Sequence, residues 1–296
     1  MSIRLGINPA IWSKDDLPEL GGATALETCL AEAKNAGYEG IELGHKFPRQ
    51  SAQLRPILER FELTLISGAY SARLLERSAS AEIRSVEAHM TLLTEMGCEV
   101  MVFAETTGSV AGSRAWPLSR RPRIAEADWP GFAERLTALG DHLARHGLRM
   151  AYHPHMGTVI ETEAEIDRLM SMTGDSVGLL LDTGHLTYAG ADPADVARRH
   201  IGRINHVHCR DVRRPVLAEM RRKRSSFLDA VLAGVFTVPG DGGVAFPPVL
   251  EAVKAAGYAG WLVVAAEQDP AKARPLTFAR MGRVYLDAAA RQAGMI

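Results

Sequence analysis

The sequence has little of what would mark a secreted, membrane-spanning or nucleic-acid-binding chain. Its three cysteines, Cys29, Cys98 and Cys209, are odd in number and far apart, with no CxxC pair. That excludes a disulfide framework and a thiolate zinc knuckle, and fits a reducing cytoplasm. Net charge at pH 7 is only −1, which removes the electrostatic case for nucleic acid or an anionic membrane as partner. No apolar run approaches the ~20 residues that span a bilayer. The opening Met1-Ser2-Ile3-Arg4-Leu5-Gly6 runs straight into a strand pattern and lacks the apolar core of a signal peptide. No GxGxxG follows that strand; Asn8-Pro9-Ala10-Ile11-Trp12 stands there instead, which argues against a doubly wound nucleotide-binding sheet. The basic cluster Arg213-Arg214 and Arg221-Arg222-Lys223-Arg224 reads as a solvated helix face or a mobile loop.

What the 296 residues do have is a 47% apolar content arranged as an alternation of strand-like and helix-like segments from end to end. Strands are expected at Ile3–Asn8, Gly40–Leu43, Leu63–Ser67, Val100–Ala104, Arg149–His153, Val177–Asp182, Arg203–His208 and Trp261–Ala265. They are short and almost continuously apolar, as strands covered on both faces are. Amphipathic stretches such as Ala25–Ala36, Ala81–Met96, Pro130–His146, Glu163–Met172 and Pro247–Ala256 lie between them. Gly37, Gly97, Gly147 and Gly257 each sit just before a strand, where a left-handed helix end favours glycine. Eight strands in β–α order without a linker-like tract define the α/β class and a single (β/α)8 TIM barrel domain over residues 1–296. The longest insertions, Thr106–Asp128 and Val212–Asp241, should wall the C-terminal mouth, where barrel sites lie.

Polar residues gather where these strands end. Leu181 runs into Asp182, with His185 three residues on; Tyr152 runs into His153 and His155; Asn205 is followed by His206 and His208, then Arg210. Asn8, Trp12, Glu42, His45, Lys46, Ser67, Tyr70, Glu105 and Glu267 complete the rim. Strand alternation sends His153 and His155 the same way, and likewise His206 and His208. Imidazole and carboxylate donors without thiolates suit Mn, Co, Zn, Fe or Mg. Structural alternatives stand beside each role: Asp182 as a helix N-cap, Glu105 as cap of the Thr106–Ser109 turn, Glu42 paired with Lys46, Trp12 as a barrel plug, and Lys46 or Arg210 in an ion pair.

In this order the motifs identify a resemblance that runs nearly end to end. They are Gly6-Ile7-Asn8-Pro9 with Trp12, Asp15-Asp16-Leu17-Pro18-Glu19-Leu20-Gly21, Glu42-Leu43-Gly44 with Lys46-Phe47-Pro48-Arg49, Ala104-Glu105-Thr106-Thr107-Gly108-Ser109, His155-Met156-Gly157-Thr158, Leu181-Asp182-Thr183-Gly184-His185, His206-Val207-His208, Phe236 to Gly242, and Glu267-Gln268-Asp269-Pro270. The chain resembles the xylose-isomerase-like sugar-phosphate isomerase/epimerase barrels, and within them the inosose dehydratases and the related rhizopine-catabolism proteins. The resemblance implies a divalent metal, Mn or Co, with glutathione in some members, and loss of water from a cyclic keto-polyol such as 2-keto-myo-inositol. The metal positions of such barrels fall here on His153, Asp182, His208 and Ala265. Alanine has no donor atom, so Glu267, two residues on and on the same face, is taken as the fourth ligand. Other departures are Pro154 within a usual His run, Ala69 for Trp, His45 for Asn, Arg210 for Lys and Ala245 for a carboxylate.

The resulting expectation is a carbon–oxygen lyase. Metal is bound by His153, Asp182, His208 and Glu267; Glu105 or His155 removes the proton beside the ketone; His185 or Glu42 protonates the departing hydroxyl; and Asn8, Trp12, Glu42, Lys46 and Arg210 bind substrate. A keto-sugar isomerase or epimerase, and a metal-depleted binding barrel favoured by Ala265, are the competing readings. A homo-oligomer is expected from such barrels in general.

Overall fold

The structure is a computed structural model that describes residues 3–14, 17 and 20–296. The first acidic pair and the Pro-Glu step of the motif at positions 15–21 lie outside the described residues. Eight parallel strands close into a barrel: β1 (Arg4–Ile7), β2 (Gly40–Leu43), β3 (Thr64–Ala72), β4 (Val100–Glu105), β5 (Arg149–Tyr152), β6 (Val177–Asp182), β7 (Ile204–Cys209) and, last in the chain, β10 (Trp261–Val264). The strands β8 (Asp211–Val212) and β9 (Phe236–Thr237) form a separate two-stranded antiparallel sheet beyond the barrel rim. The expected strands are all present, and β3 runs five residues further than its apolar core, to Ala72, as it pairs with β4.

Helices α1 (Leu26–Asn35), α2 (Ser51–Arg60), α3 (Ala79–Glu95), α4 (Trp129–Arg145), α5 (Glu163–Met172), α6 (Thr183–Ala189), α7 (Pro193–Arg199), α8 (Arg214–Lys223), α9 (Phe227–Leu232), α10 (Phe246–Ala255) and α11 (Pro275–Gln292) pack outside the strands. Gly37, Gly97, Gly147 and Gly257 all take positive φ, between 66° and 92°, as helix ends feeding a strand require. The insertion after β7 is not an irregular loop. It holds α8 and α9 between the two strands of the β8–β9 sheet, and the basic run forms the last turn of α8.

Strand alternation sorts the core into two layers. Met101 and Phe103 of β4 join the large cluster between barrel and helices, whereas Val100 and Val102 pack inside the barrel with Ala151 and Leu180. The same parity sends Ala104 inward and Glu105 outward. On the final strand Val263 faces inward and Val264 joins the outer core. Inward parity then falls on Ala265 and Glu267. Apolar side chains fill the barrel toward the strands' N-terminal ends, and polar ones stand at the C-terminal mouth.

Candidate active site and metal centre

A cavity of about 380 Å³ opens at this mouth. One wall, from β5 to β7 and the segment after β10, carries His153, His155, His208, Arg210 and Glu267; the other, from β3 and β4, carries Ala69, Ser71, Val102 and Ala104.

Asp182 ends β6 and caps α6. Its Oδ1 accepts the backbone N–H groups of Gly184 and His185, each at 2.9 Å, so the N-cap alternative holds for one oxygen. The other oxygen faces the barrel. Oδ2 lies 3.3 Å from His153 Nε2, 3.5 Å from His208 Nδ1 and 3.1 Å from Arg210 Nε. Donor atoms of His153, Asp182 and His208 all lie within 4.8 Å of one another.

These three residues fit a divalent ion. Ligands about 2.0–2.2 Å from a common tetrahedral centre stand roughly 3.5 Å apart, close to the 3.3 and 3.5 Å separations about Oδ2. His208 Nε2 lies 3.0 Å from Glu42 Oε1. A carboxylate only accepts, so that nitrogen carries the proton and Nδ1 turns toward Asp182, buried and without a hydrogen-bond partner. A histidine ligand is ordinarily oriented by such a carboxylate. Burial by itself would lower the His208 pKa, but Glu42 and Asp182 raise it to about 9. Burial lowers His153 to about 4, against the opposing pull of Asp182, which keeps this ring neutral and ligand-ready.

Glu42 is an anchor with its oxygens committed. It accepts from Asn8 Nδ2 at 2.6 Å, Ser67 Oγ at 2.7 Å, His206 Nε2 at 2.9 Å and His208 Nε2. Burial opposes its charge, but His208 and His206 outweigh that and hold its carboxyl well below the usual range. Both Asn8 and Glu42 reach the cavity wall.

Glu267 also reaches the mouth, but it is bound by cations. Lys14 Nζ pairs with Oε2, and Arg210 Nη1 lies 2.9 Å from Oε1. Against the effect of burial, Lys14 and Arg210 hold its carboxyl far below the ordinary value. Arg210 thus bridges Asp182 and Glu267 across the corner where Ala265 offers no donor. A Cβ on Gly184 would meet Arg210 Cδ at 2.4 Å, so glycine there lets the guanidinium lie flat. Lys14 was missed by the sequence reading. It sits in the β1–α1 loop, where no periodicity marks which side chain turns inward.

His155 lines the cavity, and its Nδ1 lies 2.8 Å from the Met156 carbonyl. That carbonyl only accepts, so Nδ1 carries a proton there. His185 lies behind it, ring centroids 4.0 Å apart, and is not among the cavity-lining residues. Its Nδ1 accepts the Met156 N–H at 3.2 Å, which leaves Nε2–H among Phe227 and Phe236. His155, His185 and Glu267 also bring donor atoms within 4.8 Å, yet the His185 tautomer supplies a hydrogen donor there rather than a lone pair.

Three other expected residues stand away from the cavity. Outward parity turns Glu105 to the Leu74 and Thr107 amides, at 2.6 and 2.8 Å. Trp12 is buried and donates to Glu32 Oε2 at 2.6 Å. Lys46 Nζ donates to the carbonyls of Gly21 at 2.8 Å and Gly22 at 3.0 Å, and to that of Thr24.

The class is a parallel β/α barrel with imidazole and carboxylate donors converging at its C-terminal mouth. The chain belongs to the xylose isomerase-like TIM barrel family, whose profile matches residues 30–281. It is 50% identical over 294 residues to the rhizopine catabolism protein MocC of Rhizobium meliloti, covering 99% of this chain and 90% of that protein. It is 45% identical to an inosose dehydratase of Geobacillus thermodenitrificans (strain NG80-2), covering 96% of each. A solved structure titled as the IOLI protein with a binding zinc atom superposes with a TM-score of 0.64 at 16% identity, covering 99% of this chain and 98% of that one.

Proposed function

We propose that this chain is a divalent-metal-dependent dehydratase that removes water from a cyclic keto-polyol such as 2-keto-myo-inositol, in inositol catabolism. The observation that carries the reading is the trio His153, Asp182 and His208, its buried His208 Nδ1 turned to Asp182, beside the ring of His155. The full-length relatives named inosose dehydratase supply the substrate class. His153, Asp182 and His208 would hold the divalent ion, which would supply Lewis-acid polarisation of the ketone. His155 Nε2 takes the proton from the carbon beside the ketone, the C–O bond of the next carbon breaks, and the same imidazolium returns the proton to the departing hydroxyl as water. Glu267, held charged by Lys14 and Arg210, accepts hydrogen bonds from substrate hydroxyls, and Glu42, committed to Asn8, Ser67 and two histidines, orients His208. His185 supports the Met156 turn that carries His155. This assignment moves the acid role from His185 and Glu42 to His155, and leaves Glu105, Trp12 and Lys46 in the surrounding framework.

Manganese or cobalt is the proposed ion, with glutathione as an accessory thiol, on the family resemblance. Cys29, Cys98 and Cys209 are buried and free, with thiols pushed up by burial, so a thiol requirement would be met by added reagent. No helix among the described residues is long and apolar enough to cross a membrane; a cytoplasmic homo-oligomer completes the reading.

The test is turnover of 2-keto-myo-inositol with added Mn or Co. Expected is the ultraviolet absorbance of an unsaturated diketone and a product lighter by one water. A product of unchanged mass would replace the dehydratase by an epimerase or isomerase. A second reading, a binding barrel without metal, is favoured by Ala265 and by the cations Lys14 and Arg210 set on the site's carboxylates. Elemental analysis decides it: no bound metal and no metal-stimulated turnover would leave that reading standing.

A further inference from the structure

A second cleft, of about 450 Å³, lies behind the reactive wall, between the loop after β4 and the ends of α6 and α8. Leu118, Met156, Tyr188 and Met220 give it an apolar floor, and Arg221 and Arg224 stand at its edge. The two arginines differ. Arg221 is tethered to the Tyr188 carbonyl. The Arg224 side chain has no hydrogen-bond or acidic partner among the described residues, and its backbone takes a left-handed conformation, φ +53°, at the C-cap of α8. A non-glycine residue in that region is uncommon and persists where surrounding structure holds it. Glu161, the acidic group of the lining, is committed to the Gly157 N–H at 2.7 Å and to Arg121. The basic run of α8, which the barrel chemistry does not use, therefore presents an available guanidinium beside an apolar cleft.

We propose that this cleft is a second small-molecule site, for a ligand with an apolar body and one carboxylate or sulfonate group. The apolar part rests on the Met and Tyr side chains, and the anion meets the planar donor fork of Arg224. The site lies one aromatic layer from the mouth. Tyr188 packs on Phe227 at 5.6 Å, Phe227 on His155 at 5.5 Å, and the Met156 peptide holds both His155 and His185. Occupancy of the cleft thus presses on the turn that orients the proposed base. The inference does not depend on which reaction the barrel performs.

The test is a fluorescence titration of the full chain with anilinonaphthalene sulfonate, an anionic aryl probe. Expected is one saturable site whose Kd rises about tenfold in Arg224→Ala, the loss of one charge-assisted contact. Met220→Glu abolishes binding, and Ala69→Trp in the barrel mouth leaves it unchanged. An unaltered Kd in Arg224→Ala, which is exposed and leaves the fold intact by its melting curve, overturns the proposal. So does loss of binding in Ala69→Trp, which would place the probe in the mouth.

Discussion

The two walls of the barrel mouth come from one sheet with one parity, yet they do opposite things. On β6 and β7 the paired inward positions are Asp182 and His208; on β3 and β4 they are Ala69 with Val102 and Ser71 with Ala104. The first wall packs charge so densely that its carboxylates and cations satisfy one another. Asp182 and Glu267, with Glu42 beside them on β2, are each at most 7% exposed. The second wall offers small, neutral side chains and open volume. Burying unpaired charge is costly, so a reactive wall of this kind needs an internal network to exist at all. The receiving wall needs only to keep side chains short. In the proposed reading, reactivity is concentrated on one side, and shape selection falls to the other.

The sharpest way to break that contrast is to strip the reactive wall. Asp182→Ala should remove the common oxygen of the metal trio and reduce turnover at least about a hundredfold, with metal content by elemental analysis falling in parallel. Retained metal and turnover would refute the assignment. Next in size, Ala265→Glu places a carboxylate at the corner Arg210 now covers; metal affinity by competition with a chelator should rise about tenfold, and unchanged affinity would show that the position faces away from the ion. On the receiving wall, Ala69→Trp should fill cavity volume and raise KM about five- to tenfold with kcat little changed, as expected for lost uniform binding. A larger effect on kcat would make this wall part of the chemistry.

A separate effect, read in stability rather than in turnover or affinity, concerns the tie between the walls. Arg121, from the loop after β4, is buried and donates to the Thr158 carbonyl at 3.0 Å and to Glu165 at 2.6 Å. Burial opposes the charge of Glu165, but Arg121 and the capping amides of Thr162 and Glu161 hold its carboxyl below the ordinary value. A depressed folded-state pKa contributes stability that is present above the unfolded value of about 4.3 and lost as pH falls through the folded one. Arg121→Met should therefore destabilise by about 2 kcal/mol at pH 7, the loss of a hydrogen bond between charged groups, and the gap to the unmutated protein in urea unfolding should narrow below about pH 4. A gap independent of pH would mean the ion pair is not the tie.

Much of this was legible before any coordinates. The eight apolar runs marked the barrel because strands covered on both faces read as continuous hydrophobic segments, and Gly37, Gly97, Gly147 and Gly257 marked the joins because φ above zero needs glycine there. His153, Asp182, His208 and Glu267 were legible as a mouth constellation because each follows an apolar strand. Roles were less legible where a single residue's parity or a loop's path decides direction. Glu105 reads like its neighbours in sequence, but it stands one position past the inward Ala104 and turns outward. Trp12 and Lys46 lie in connections whose conformation follows from what they pack against. His185 reads as a rim residue and folds beneath His155.

Sequence alone determined the barrel and the strand ends that carry donors, because these follow from local periodicity and residue chemistry; that a donor is missing at Ala265 is what the family resemblance implies. Tertiary structure alone decided that Lys14 reaches Glu267 and that Arg210 bridges Asp182 and Glu267. It also decided that the Met156 peptide fixes the His155 and His185 tautomers. Those pairings join residues tens to hundreds of positions apart, or depend on which atom faces which, and only closure of the barrel brings them within hydrogen-bond distance.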